Sequence, residues 1–131
     1  YALGNTGAVV EVVSTGGCLQ SVSARLVNQV PYNLDFAIDG NHYWSLEQTG
    51  CDENAADGNS FFVHLTLPTV SQPTADYQLC RLNTTNSHWE CAVTAFDTTT
   101  QSVTLESVTH FSTWVVRTTV QKRIFLPTVM R

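Results

Sequence analysis

The stretch Phe61-Phe62-Val63-His64-Leu65-Thr66-Leu67, closed by Pro68, decides the fold. Phe61, Val63, Leu65 and Leu67 occupy alternate positions, and the two-residue period of a strand collects all four on one face. A helix would scatter them around its circumference. The same period recurs on both sides. Val9 to Val13 is a β-branched run ended by Gly16-Gly17. Between Cys18 and Val30, the residues Val22, Ala24 and Leu26 alternate with Ser21, Ser23 and Arg25. Tyr32, Leu34, Phe36 and Ile38 alternate with Asn33, Asp35, Ala37 and Asp39. Asp39-Gly40 then predicts a tight hairpin returning through His42 to Gln48, with Trp44 and Leu46 inward. Tyr77 to Leu82, His88 to Phe96, Gln101 to Thr119 and Val120 to Leu126 are the remaining predicted strands. About eight or nine short strands with turn signals between them predict an all-β chain, an antiparallel β-sandwich. It is read as a single domain over 1–131, with the C-terminal segment 118–131 either closing its own sheet or exchanged with a neighbour.

The C-terminal run changes phase. Val103 and Leu105 lie at odd positions, whereas Val108, Trp114 and Val116 lie at even ones. A slip near Glu106-Ser107 requires a β-bulge. The alternative is a strand buried on both faces, for which phase carries no meaning.

Charge and cysteines narrow the function. Six basic residues face eleven acidic ones with no basic cluster, so the phosphate-neutralising footprint of a nucleic-acid binder is missing. No apolar run reaches membrane-spanning length. Cys18, Cys51, Cys80 and Cys91 fit no zinc spacing. Their even number and the Thr-rich, Lys-poor composition predict two disulfides and a secreted or cell-surface location. Of three connectivities, sequential pairing, Cys18 with Cys51 and Cys80 with Cys91, is expected; four buried thiols are the alternative. No secretory leader is recognisable, so Tyr1 is expected to be a processed N-terminus or an imposed boundary.

Cys80, Trp89, Cys91, the Val103-Thr104-Leu105 alternation and then His110-Phe111-Ser112-Thr113-Trp114-Val115-Val116 follow an order that resembles the proteolysis site ending the GAIN domains of adhesion receptors. The His-Phe-Ser version also resembles the self-cleaving site of ZU5-type domains. The resemblance covers residues 77–116. It lacks the two further cysteines that precede the His in the receptor family, and the helical subdomain of that family has no counterpart in residues 1–76. The tail, Arg123 to Arg131, resembles the C-terminal tails of secreted bacterial surface proteins.

What the resemblance implies is autoproteolysis between Phe111 and Ser112. His110 would take the Ser112 proton, the Ser112 oxygen would attack the Phe111 carbonyl, and water would hydrolyse the ester. No cofactor enters this chemistry. The bland reading makes His110 and Ser112 ordinary strand residues.

Other candidates are weaker. Asp52, Asn54 and Asp57 crowd oxygen ligands into the loop Thr49–Ser60, but the full calcium-loop pattern and its closing bidentate Glu are missing. Asn83-Thr84-Thr85 matches the N-glycosylation acceptor. Tyr43, Trp44 and Phe62, if exposed, would give a sugar-stacking platform. The reading that covers most of the chain is a non-enzymatic extracellular structural module. It would self-associate through edge strands or the C-terminal segment, and strand donation would make it a filament subunit. Self-cleavage and carbohydrate binding are the alternatives.

Overall fold

The computed structural model describes residues 1–32, 34–52 and 61–118. Over these residues the chain is all β: nine strands form two antiparallel sheets, one of four strands and one of five. The first sheet has the order β1-β4-β8-β7, from Val9–Ser14, Phe62–Pro68, Ser102–Val108 and Ala95–Asp97. The second has the order β2-β3-β9-β5-β6, from Ser21–Val27, Tyr43–Thr49, Thr113–Arg117, Gln78–Asn83 and His88–Ala92.

The alternation on β4 is realised in full. Phe61, Val63, Leu65 and Leu67 are completely buried, and Phe62, His64 and Thr66 lie half-buried on the other face. With Val10 and Val103 they form one wall of the core; Trp44, Leu46, Leu79, Trp114 and Val116 form the other. This is the expected sandwich. β9 is central, and Val115 is buried on its outer side as well. Its Trp-Val-Val run is therefore apolar on both faces.

The expected hairpin at Asp39-Gly40 is corrected. β3 pairs with β2 through seven consecutive residues, Ser21↔Thr49 to Val27↔Tyr43, while β9 takes its other side. No edge of β3 is left for Tyr32–Ile38. Ile38 instead makes an isolated bridge to Arg117, and Asp39 N donates to Val116 O. The Asp39 carboxylate turns inward, where it accepts from the backbone of Val70 and Ser71 and from the Ser71 hydroxyl, which in turn contacts Tyr77 Oη at 2.6 Å. Gly40 follows at φ +79°, where a Cβ would come within 2.6 Å of the His42 ring. The pair Asp39-Gly40 is thus an anchor and a kink, not a hairpin turn.

Two predicted single strands are each two strands in different sheets. His88 to Phe96 divides into β6 and β7, and Gln101 to Thr119 into β8 and β9. The bulge expected from the phase change is present. Val63 pairs with Val108 but Leu65 with Leu105, so Glu106 and Ser107 together face the single residue His64, one residue in surplus, with Ser107 at φ +67°. The strand expected over Val120 to Leu126 lies outside the described residues.

Both disulfides have the sequential pairing. Cys18–Cys51 ties the turn before β2 to the end of β3, and Cys80–Cys91 joins directly opposed residues of β5 and β6. No helix of the described residues is long and apolar enough to cross a membrane.

Candidate functional site

His110, Phe111 and Ser112 do not sit on a strand. β8 ends at Val108 and β9 begins at Thr113, so Thr109–Ser112 is the corner by which the chain leaves one sheet for the other. On a strand, side chains two apart share a face, but His110 and Ser112 lie at a corner, where that rule does not apply. Burial fixes the corner at both ends: Val108 is 3% exposed, and Phe111 packs its ring on Phe61 with centroids 4.9 Å apart. Leu46 N donates to Ser112 O at 2.9 Å, which pins the last residue of the corner to β3.

The Ser112 hydroxyl donates to Leu82 O at 2.6 Å. A hydroxyl has a single proton to give, so in this arrangement it is committed to a backbone carbonyl. The ring of His110 is engaged through Nδ1 with Thr109 Oγ1 at 3.0 Å. His110 also borders a cleft of about 370 Å³ with Arg81, Glu90, Leu105, Ser107 and Trp114. Here lies a polar cluster that strand periodicity does not reveal. Arg81 Nη2 meets Glu90 Oε1 at 2.8 Å, and Asn83 Nδ2 donates to Glu90 Oε2 at 2.9 Å. The Asn83 amide, then Arg81 and His110, hold the Glu90 carboxyl below its ordinary range. The register Arg81↔Glu90 could have been found only by pairing β5 with β6.

Asn83 is used at both ends of its amide. Oδ1 accepts from Thr85 N at 3.0 Å, closing an Asx turn, while Nδ2 serves Glu90. Attachment of a glycan at this nitrogen would alter the bond to Glu90. Of the calcium candidates, Asp52 is exposed at the end of the described segment, and Asn54 and Asp57 lie outside the described residues. Among the described residues no three His, Cys, Asp or Glu side chains come together as a metal site would need.

The aromatic platform is corrected. Trp44 is 1% exposed, its indole N–H donating to Thr6 O at 2.9 Å, and Tyr43 and Phe62 belong to different sheets. A half-buried aromatic pair does exist elsewhere. Phe36 and Trp89 meet edge to face at 6.0 Å, and the Arg117 guanidinium lies 4.9 Å above the Phe36 ring.

The edges of the two sheets differ in how far they are covered. The outer side of β1 is met by the N-terminal segment, through the Ala2↔Val9 bridge, Val10 N to Tyr1 O and Leu3 N to Ala8 O. β1 also carries a register shift at Val12/Ser14. β7 has three residues and β6 five. β2 has seven, paired to β3 without interruption, and among the described residues nothing pairs with its other side.

No family model matches the chain, and no curated protein or solved structure matches it.

Proposed function

We propose that the chain is an extracellular structural module that self-associates through a sheet edge. The observation that carries this reading is β2: an uninterrupted seven-residue edge strand without proline, glycine or bulge. Proteins that remain monomeric blunt such edges with bulges, short strands or covering segments, and a row of unpaired N–H and C=O groups templates another strand. The other three edges of this sandwich are short, bulged or covered. The two disulfides support an oxidising compartment. A filament would follow if the strand that arrives is donated head to tail. Sedimentation velocity from low to high micromolar protein tests the reading. A mass that grows with concentration is expected, and an unchanged monomer would overturn it.

A second reading, scission between Phe111 and Ser112, rests on the resemblance of His110-Phe111-Ser112 to self-cleaving sites and on the corner that holds these three residues together. It requires the Ser112 proton to leave the Leu82 carbonyl for His110 and then pass to the departing Ser112 amine. The Phe111–Ser112 amide bond breaks as the ester to Ser112 Oγ forms, and water opens that ester. Intact mass of the denatured chain tests it.

A further inference from the structure

We infer that the partner at the β2 edge is β2 of a second copy, antiparallel and centred on Ala24. This rests on the self-association reading and names its register.

The argument begins with the faces of β2. In the register with β3, Ala24 lies opposite Leu46 and Leu26 opposite Trp44, so Val22, Ala24 and Leu26 point to the core side. Ser21, Ser23, Arg25 and Val27 point outward, beside Thr49, Glu47, Ser45 and Tyr43. A two-fold axis perpendicular to the sheet keeps these faces in common. With Ala24 at the axis, all seven residues pair. Val22 falls opposite the partner's Leu26, a side chain left 36% exposed in the single chain. Ala24 falls opposite its own copy, where the small side chains let the backbones approach.

Charge and pairing length select this register over its neighbours, since an axis at Ser23 would pair only Ser21–Arg25. Moving the axis to Arg25 sets two guanidinium groups directly opposite each other, which costs free energy. Moving it by one residue along one strand turns the apolar set of the partner outward. With Ala24 at the axis, Arg25 lies opposite the partner's Ser23, and beyond that serine, on the same face, stands the partner's Glu47. Strands are about 4.8 Å apart, so the two Cα atoms are separated by roughly 10 Å, within reach of two long side chains across a short one. Arg25 and Glu47 are both exposed, and the ion pair formed among the described residues is Arg81–Glu90, elsewhere in the sheet. The two-fold axis gives two such Arg25–Glu47 pairs. The product is one continuous sheet of ten strands across two sandwiches.

The test uses the full chain. Directly opposed antiparallel residues have Cα atoms about 4.5–5.5 Å apart, inside the range a disulfide spans. Ala24→Cys is therefore expected to form a covalent dimer on mild oxidation. Ser23→Cys alone should not, because its copies are diagonal neighbours, whereas Ser23→Cys mixed with Arg25→Cys should. Peptide mapping without reductant confirms that the two native disulfides are retained. Arg25→Glu adds no thiol and is expected to raise the dissociation constant roughly tenfold, with Arg25→Glu/Glu47→Arg restoring it. A chain that self-associates while Ala24→Cys stays uncrosslinked and Arg25→Glu has no effect would overturn the Ala24 register and leave self-association standing. A chain that stays monomeric at every concentration would overturn both.

Discussion

Trp44 and Trp114 stand directly opposite each other on β3 and β9, equally buried, yet only one of the two indole N–H groups has a partner among the described residues. Trp44 Nε1 donates to Thr6 O at 2.9 Å, whereas Trp114 Nε1 is buried without an acceptor. Removing a satisfied donor strands the Thr6 carbonyl; removing an orphan relieves a desolvated group, worth about 1–3 kcal/mol. Both substitutions by phenylalanine lose similar volume. Trp44→Phe is therefore expected to destabilise the fold by about 1–3 kcal/mol more than Trp114→Phe. Urea unfolding of the two variants checks the difference, and equal losses would refute it.

The two disulfides close loops of different length, with sequence separations of 33 and 11. Loop-closure entropy assigns about 3.7 kcal/mol to Cys18–Cys51 and about 2.8 kcal/mol to Cys80–Cys91. Replacing the first pair by alanine should lower stability by about 1 kcal/mol more than replacing the second. Denaturant midpoints of the two double variants measure this. A larger loss from the Cys80–Cys91 pair would show that native contacts outweigh chain entropy.

Glu90 gives the acid limb a small, assignable component. Its carboxyl is held low by the Asn83 amide first and by Arg81 after it. A group whose folded pKa is depressed contributes stability above its unfolded pKa, near 4.5, and loses it as pH falls through the folded value. Glu90 is half exposed, so solvent screening limits the contribution to a few tenths of a kcal/mol. Glu90→Gln should remove that increment at pH 7 and leave stability at pH 3 unchanged. A variant equally destabilised at both pH values would assign Glu90 a packing role instead.

Scission at the corner has a direct readout. If it occurs, the denatured chain yields fragments ending at Phe111 and beginning at Ser112, and Ser112→Ala abolishes them. A single mass over long incubation at neutral pH would refute the reading and leave the Ser112–Leu82 bond as a structural tie between the corner and β5.

The residues differ in how openly they state their structure. β4 is legible because one face meets the core and the other does not, so Phe61, Val63, Leu65 and Leu67 separate cleanly from His64 and Thr66. The bulge at Glu106-Ser107 is legible for the same reason, since a phase change has one geometric remedy. The Tyr32-to-Ile38 alternation is just as clean in the sequence, but β2 and β9 already flank β3, and the segment's end makes only an isolated bridge from Ile38 to Arg117. That competition is between distant segments and leaves no local trace. The corner Thr109–Ser112 is concealed similarly: Phe111 is buried as a strand residue would be, but against Phe61 at the point where the chain changes sheets. Edge position, on which the proposed function rests, depends on strand order and is invisible to periodicity.

The most direct test of self-association through β2 is amide hydrogen exchange followed as a function of protein concentration. Protection of those Ser21–Val27 amides that point away from β3 is expected to rise with concentration while His88–Ala92, the other edge strand of the same sheet among the described residues, stays unchanged. Exchange of Ser21–Val27 that is independent of concentration, in a solution where the mass also stays monomeric, would contradict the account.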